Sequence, residues 1–409
     1  MSSTERRQPP APLFGTNRPA PVAPAAAPVE VARAAAVATM PPYVVQPRRN
    51  TTTLTLVIIG FSLAGLAGLL VALFLVLSVG AAGVAIAGFM ALIPLAIVIF
   101  GVRWIDRWDP EPFVALAFGF VWGAAVSVFV ALVAGLVVEV ALSVTGGIGD
   151  AYDFVSAVIQ APIVEESGKG LGLLLIFFVA RKYFDGPVDG IAYAAIVAGG
   201  FAFTENILYF GGQLGAGEGV VEIFVLRGLM SPFAHVMFTA CTGIALGIAA
   251  RRAGTLGSIG IFFLGLIPAI LLHALWNGAL FIVSDFYVYY ALVQFPLFLG
   301  FVGLVVWLRK RETALTKTRL EEYARVGWFA EGEVISLATG RGRRQARQWA
   351  AQRGLGEVMK KYTKDATRLA FTRQRLISRR ATEGAQAEES ALLASIVAGR
   401  ALLQGAPQR

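Results

Sequence analysis

The chain has 409 residues, 56% of them hydrophobic and only 15% charged, whereas a soluble domain carries about a quarter charged residues. This is the composition of a membrane protein, and its one cysteine, Cys241, excludes an intrachain disulfide framework and any cysteine-rich zinc or iron–sulfur site. The net charge of +9 divides into +4 over residues 1–50, −6 over 51–308 and +11 over 309–409; basic tails around an acidic apolar core suit anionic lipid better than nucleic acid.

Residues 1–50 are rich in Pro, Ala and Arg, with little that packs, and read as a disordered cytosolic tail. They are not a cleaved signal peptide, because the first long apolar run starts near Thr53 and is too long for one. From there to Leu308 the apolar runs are continuous rather than alternating, which points to helices and not a barrel. At about 20 residues per crossing, eight spans are expected: 54–78, 82–102, 113–144, 154–180, 187–211, 223–250, 258–282 and 287–308. The third is long enough to tilt or to break near Gly135.

The loops after spans 2, 4 and 6 carry Arg103, Arg107, Arg181, Lys182, Arg251 and Arg252, whereas those after spans 1, 3, 5 and 7 contain no Lys or Arg. Both tails are also basic at the membrane edge, at Arg48 and Arg49 and again at Arg309, Lys310 and Arg311. Excess Lys and Arg marks the cytoplasmic side, so a multi-pass protein of the cell membrane with both termini in the cytoplasm satisfies every segment. Residues 309–409 have a helix-forming composition broken near Gly340 and Gly354, and are expected to form a small basic helical appendage. They contain no phosphate-cradling or nucleic-acid motif, and no nucleic-acid partner is expected.

An ionisable group within a span costs at least ~2.5–3.5 kcal/mol on insertion scales, so each one asks for a reason. Both histidines of the chain, His235 and His273, fall inside spans. At ~1.5 Å of rise per residue, Glu165, Glu205, His235 and His273 share one slab at or just outside the bilayer midplane. Span 4 reads Glu165-Glu166-Ser167-Gly168-Lys169, in which one ammonium reaches carboxylates three and four residues back. Lys169 fits a compensating ion pair, but one lysine does not balance two glutamates. Span 5 carries Glu205-Asn206 after Gly199 and Gly200, which would admit another helix closely. Span 6 carries Arg227 and His235 with Pro232 between them, and span 7 places His273 and Asn277 on one face.

Carboxylates and imidazoles suit zinc. One arrangement has His235, His273 and a glutamate, with Glu205 in the expected set, on Zn2+, and another glutamate as general base for a bound water. A metal-free version has a glutamate activating water while His273 and Asn277 stabilise the oxyanion. The soluble HExxH pattern is absent.

The order Glu165-Glu166-x-x-Lys169, Phe201-x-x-x-Glu205-Asn206, His235, His273-x-x-Trp276-Asn277 resembles the PrsW family of intramembrane proteases. Asp106-Arg107-Trp108-Asp109-Pro110-Glu111-Pro112 and Asp189-Gly190-Ile191-Ala192-Tyr193 resemble that family too, and the likeness spans roughly residues 103–280. The resemblance implies a polytopic bacterial-type metalloprotease that cleaves membrane-embedded proteins such as anti-sigma factors. A more distant similarity is to the CAAX-type (CPBP) prenyl proteases, in which the second motif carries a histidine where this chain has Glu205. Carried over by position, the active set is Glu165, Glu166, Glu205, His235 and His273, with Asn206 and Asn277 as supporting donors and Lys169 and Arg227 beside them.

The expectation is therefore an all-α polytopic transmembrane bundle over 51–308, between a tail at 1–50 and an appendage at 309–409, working as an intramembrane endopeptidase. An ion- or proton-coupled transporter using Glu165, Glu205 and His235 as a relay is the first alternative, although no internal repeat supports it. A non-catalytic membrane scaffold is the second.

Overall fold

The computed structural model describes residues 51–145, 151–378 and 384–405, so the expected disorder of residues 1–50 lies outside the described residues. Every regular element in it is helical. The chain divides into two compact units, Arg49–Lys310 and a second that contains Arg311–Arg409.

Six helices are long and apolar enough to cross a membrane: Leu54–Ile105, Phe113–Val144, Pro187–Ala216, Val220–Arg252, Thr255–Ile282 and Phe286–Arg325. The eight expected spans map onto these plus one more. The first two expected spans are the halves of one 55-residue helix, α1 (Thr51–Ile105), broken at Gly80, where φ is 75°. Neighbours along its length show what the break does. Gly60 faces Phe118 and Gly68 faces Ala125, in ascending order, whereas Val79 meets Gly211, Gly88 meets Ile207 and Val98 meets Gly199. Gly119 meets Val197 and Gly123 meets Phe201, so the two neighbouring helices are parallel; the two halves therefore run antiparallel, and a residue without a Cβ makes the reversal at positive φ. The fourth expected span is α4 (Ala161–Val179), set apart from the six apolar helices by Glu165, Glu166 and Lys169.

The third expected span is one helical run without a break at Gly135, and it holds a π-helical turn ahead of that residue. Its two parts, α2 (Phe113–Val121) and α3 (Val128–Thr145), are joined by a π-helical turn over Trp122–Ser127. The turn brings the Trp122 indole to the Gly168 carbonyl at 3.0 Å, and Gly172 leaves room for the ring. Similar turns occupy Val155–Gln160, just before α4, and Val225–Met230. π-turns re-aim side chains and recur at functional sites.

Helix α5 (Pro187–Ala216) is the axis of the unit. Ile191, Ala192, Tyr193, Ala194, Val197 and Ala198 are all fully buried. Its glycines allow this. A Cβ on Gly190 would overlap the carbonyl of Gly243 in α6 (Ala234–Arg252), and one on Gly200 would overlap the carbonyl of Phe120. Small residues let backbones approach closely where lipid gives helices no hydrophobic drive to associate. The close approach expected at Gly199 and Gly200 is present. By contrast, α1 leaves Leu69, Leu77, Phe89 and Phe100 largely exposed, as a face turned to acyl chains requires. Helix α7 (Thr255–Ile282) completes the packing around α4 and α6.

The second unit has its own core. It takes the charged second half of α8 (Phe295–Arg325), followed by α9 (Glu331–Ala338), α10 (Gly340–Ala351), α11 (Gly356–Ile377) and α12 (Ala385–Gln404). Leu320, Leu337, Tyr362, Leu369 and Ile396 are buried together. Glu333 lies in this core, bonded to Arg400 at 2.9 Å and accepting the Tyr362 hydroxyl, so the buried charge is neutralised. Gly354, at φ 70°, ends the α10 turn close to where the sequence places a break.

Candidate active site

Helix α4 carries Pro162 in its first turn, directly after the π-turn Val155–Gln160. One turn further, Glu165, Glu166 and Lys169 project into the bundle. The Lys169 Nζ atom is wholly buried and lies 2.8 Å from Glu166 Oε1 and 3.4 Å from Glu165 Oε2. It also sits 3.9 Å above the centre of the Phe201 ring. Two carboxylates and an aromatic face form a strong cation environment.

Helix α5 contributes Glu205 and Asn206. Arg227, on the π-turn Val225–Met230, pairs with the Glu205 carboxylate, donates from Nε to Asn206 Oδ1 at 3.1 Å, and lies over the Tyr209 ring. The chain then leaves the helix at Ser231–Phe233 and re-enters it at Ala234, so the kink expected at Pro232 is a true interruption that puts His235 in the first turn of α6. From there His235 reaches two helices at once. Its Nε2 lies 2.9 Å from Glu205 Oε2 and its Nδ1 lies 3.2 Å from Lys169 Nζ.

Helix α7 supplies His273, with Nδ1 3.2 Å from Glu166 Oε1 and Nε2 3.8 Å from Glu165 Oε2. The two imidazoles stand nearly perpendicular with centroids 5.1 Å apart, and Phe238 stacks on His273. Thr239, one turn after His235, donates to Glu166 Oε2 at 2.8 Å. Glu166, which is wholly buried, thus accepts from Lys169, His273 and Thr239.

A carboxylate oxygen only accepts, so His273 carries a proton on Nδ1, and Nε2 is the ring nitrogen that faces Glu165. The same reasoning puts the proton of His235 on Nε2, facing Glu205, and leaves the Nδ1 lone pair inward. Each histidine therefore has a carboxylate behind it and its other ring nitrogen turned inward, the arrangement in which outer carboxylates orient metal-binding imidazoles.

Glu165 differs from Glu166. It lines a cavity of about 370 Å³ together with Glu205, Phe201, Leu208, Tyr209, Val128, Ala131 and Leu132. Its Oε2 faces Lys169 and His273, and its other oxygen makes no hydrogen bond among the described residues. A carboxyl group at a largely apolar cavity with one oxygen unengaged is suited to hold a polar group of a bound molecule or to take a proton.

The expected residues Glu165, Glu166, Lys169, Glu205, Asn206, Arg227, His235 and His273 thus meet in one cluster. Asn277 does not join it through its amide, which donates at 2.7 Å to the carbonyl of Ala157, across to the π-turn before α4. The metal trio also differs from the expected one. Ligand atoms of Glu165, His235 and His273 lie within 4.8 Å of one another, while Glu205, expected beside the histidines on the metal, is engaged by Arg227 and His235. Thr239 and Phe238 were not expected. The only signal for Thr239 is its position four residues after His235.

A family model described as PrsW family intramembrane metalloprotease matches residues 111–301. Protease PrsW of Clostridioides difficile (strain 630) is 30% identical over 193 residues, covering 47% of this chain and 78% of that protein. Protease PrsW of Bacillus subtilis (strain 168) is 33% identical over 199 residues, covering 49% of this chain and 84% of that protein. The chain belongs to the PrsW family. It is a multi-pass membrane protein and an intramembrane protease that acts on protein substrates in the membrane. No solved structure matches it.

In this PrsW-family chain the residues present fit a divalent metal. Two inward imidazole nitrogens and one carboxylate form a His₂Glu donor set of the kind that holds catalytic zinc.

A second polar cluster joins Asp106 and Glu111, which lie between two membrane-spanning segments, to Asp189 and Tyr193 at the start of α5. Asp106 accepts the Glu111 N–H at 2.9 Å, Tyr193 donates its hydroxyl to Glu111, and Asp189 accepts the N–H groups of Asp185 and Gly186 just before α5 begins. Burial pushes the Asp106 carboxyl up to about 7. Burial, together with the charge of Asp189, holds Glu111 well above the ordinary carboxylate range.

Proposed function

We propose that Glu165 is the general base of an intramembrane endopeptidase whose partners are membrane-embedded protein substrates, anti-sigma-factor-like by family resemblance, presented from the lipid bilayer. The observation that carries this is that Glu165 lines the cavity with one oxygen that makes no hydrogen bond among the described residues, beside a Glu166 engaged by Lys169, Thr239 and His273. Glu165 takes a proton from a water held in the cavity; Glu166 keeps His273 and Lys169 in place; Arg227 and Glu205 hold the ring of His235. The apolar walls at Val128, Ala131, Leu132 and Leu208 suit a hydrophobic substrate segment.

Glu165, His235 and His273 would hold Zn2+, which would polarise a carbonyl and lower the pKa of water toward neutrality, Glu165 then serving as a ligand and not as the base. The loop charges favour both termini in the cytoplasm. Reconstituted with candidate single-span membrane proteins, Glu165→Gln and His273→Ala are expected to fold, as judged by elution and melting, and to lose cleavage. Normal processing by both variants would overturn the reading, and flux of protons or ions without cleavage would favour a transporter.

A further inference from the structure

Lys169 is more than the counter-ion of the adjacent carboxylates. Its Nζ is in hydrogen-bond reach of His235 Nδ1, 66 residues away and on another helix. An ammonium has three donors and no lone pair, so this contact can form only if Nδ1 accepts. Lys169 is in the ammonium form here, held between Glu165 and Glu166 and over the face of Phe201. Glu205 demands the same tautomer from the other side, because it accepts from Nε2. The ring of His235 is therefore satisfied at both nitrogens by protein groups.

A metal ion held by His235 needs one of those nitrogens. Nε2 is closed, since its proton points at a carboxylate that Arg227 also clamps. Nδ1 opens if Lys169 moves, and Lys169 has somewhere to go. Its shortest contact is to Glu166 at 2.8 Å, and it can keep that partner and its proton while releasing His235 and Glu165, the two longer contacts at 3.2 and 3.4 Å. Both released groups belong to the trio whose ligand atoms lie within 4.8 Å of one another.

We infer that the Lys169 ammonium is a built-in competitor for a divalent cation: it occupies the Nδ1 lone pair of His235 and one oxygen of Glu165, and binding of the cation requires it to withdraw onto Glu166. Lys169 is a positioning residue in this account. It keeps His235 and Glu165 aligned and limits metal affinity. The inference rests on the metal reading given above.

The test uses full-length protein in lipid nanodiscs, labelled with 15N-histidine. The sequence holds only two histidines, so the spectrum contains two imidazoles, and His273→Asn assigns them. Wild-type His235 is expected to carry its proton on Nε2, with a hydrogen-bonded Nδ1. In Lys169→Met the Nδ1 resonance is expected to move to that of an unbonded imidazole nitrogen, while Lys169→Arg keeps the wild-type position. Titration with Zn2+ alone is expected to show at least tenfold tighter binding by Lys169→Met than by wild type, with Lys169→Arg close to wild type.

Equal or weaker binding by Lys169→Met, with wild type binding normally, overturns the inference and leaves the metal reading standing. Absence of Zn2+ binding by all three proteins overturns both. If Lys169→Met does not fold, the wild-type spectrum still decides, because a proton on Nδ1 of His235 is incompatible with the contact to Lys169.

Discussion

Thr239 donates its hydroxyl to Glu166 Oε2 at 2.8 Å, bridging α6 to α4 in the middle of the bundle. This bond and those from Lys169 and His273 place three donors around a carboxylate that touches no solvent. Thr239→Val keeps the shape and removes one donor. Hydrogen bonds between membrane helices are worth ~0.6–2 kcal/mol, and bonds to a charged group lie at the upper end. The expected outcome is a loss of about 1–2 kcal/mol in stability with a parallel fall in cleavage, both restored by Thr239→Ser; melting in micelles and a cleavage assay check it.

The pair Arg227–Glu205 calls for a larger effect. Both side chains are only 16% exposed, and Glu205 also accepts from His235. Removing one member of a buried pair leaves the other charge uncompensated, which costs about 3–5 kcal/mol. Arg227→Met should therefore unfold at markedly lower temperature, whereas the double variant Arg227→Met/Glu205→Gln should recover most of the loss. A double-mutant cycle on melting data measures this, and full additivity of the two changes would refute the coupling.

Much of this site is legible in the sequence because charge inside an apolar run is expensive. Glu165, Glu166, Lys169, Glu205, Arg227 and the two histidines each stand out against Leu, Val, Ala and Phe, and a helical rise places four of them at one depth. Thr239 is silent by the same logic: a threonine is cheap in a membrane helix and announces nothing. Asn277 keeps its i,i+4 spacing from His273, and its amide nitrogen donates to the Ala157 carbonyl, a partner that the spacing does not announce. That carbonyl belongs to a π-turn, and the extra residue of such a turn shifts every later side chain around the helix without leaving a mark in hydropathy. The exchange of Glu205 for Glu165 in the metal trio has a similar origin, since lateral placement depends on helix packing rather than on depth.

The crossing of α5 and α6 depends on Gly190 and Gly243, each of which leaves no room for a Cβ against the other's backbone carbonyl. Gly190→Ala and Gly243→Ala should each force the helices apart at the end remote from His235. Backbone cannot yield as a side-chain tip does, so the penalty is expected at or above the ~1–3 kcal/mol of ordinary overpacking. Alanine at Gly212, which has nothing within 4 Å, is the control and should be neutral. Melting of the three variants under one set of conditions decides the matter.

The carboxylates outside the membrane-spanning segments give the protein a pH dependence of predictable sign. Asp106 is raised from 3.8 to about 7 by burial, so between those values the folded protein holds a proton that the unfolded chain has lost. Its contribution to stability is complete below about pH 4 and is lost as pH rises through 7, at about 1.4 kcal/mol per pH unit within that window. Glu111, raised for the same main reason, adds a term of the same sign. Asp106→Asn cannot ionise, yet its side-chain oxygen can still accept the Glu111 N–H. The variant should therefore gain stability over wild type as pH rises from 5 to 7. Equal slopes for the two proteins in melting experiments across that range would show that Asp106 does not carry the buried proton.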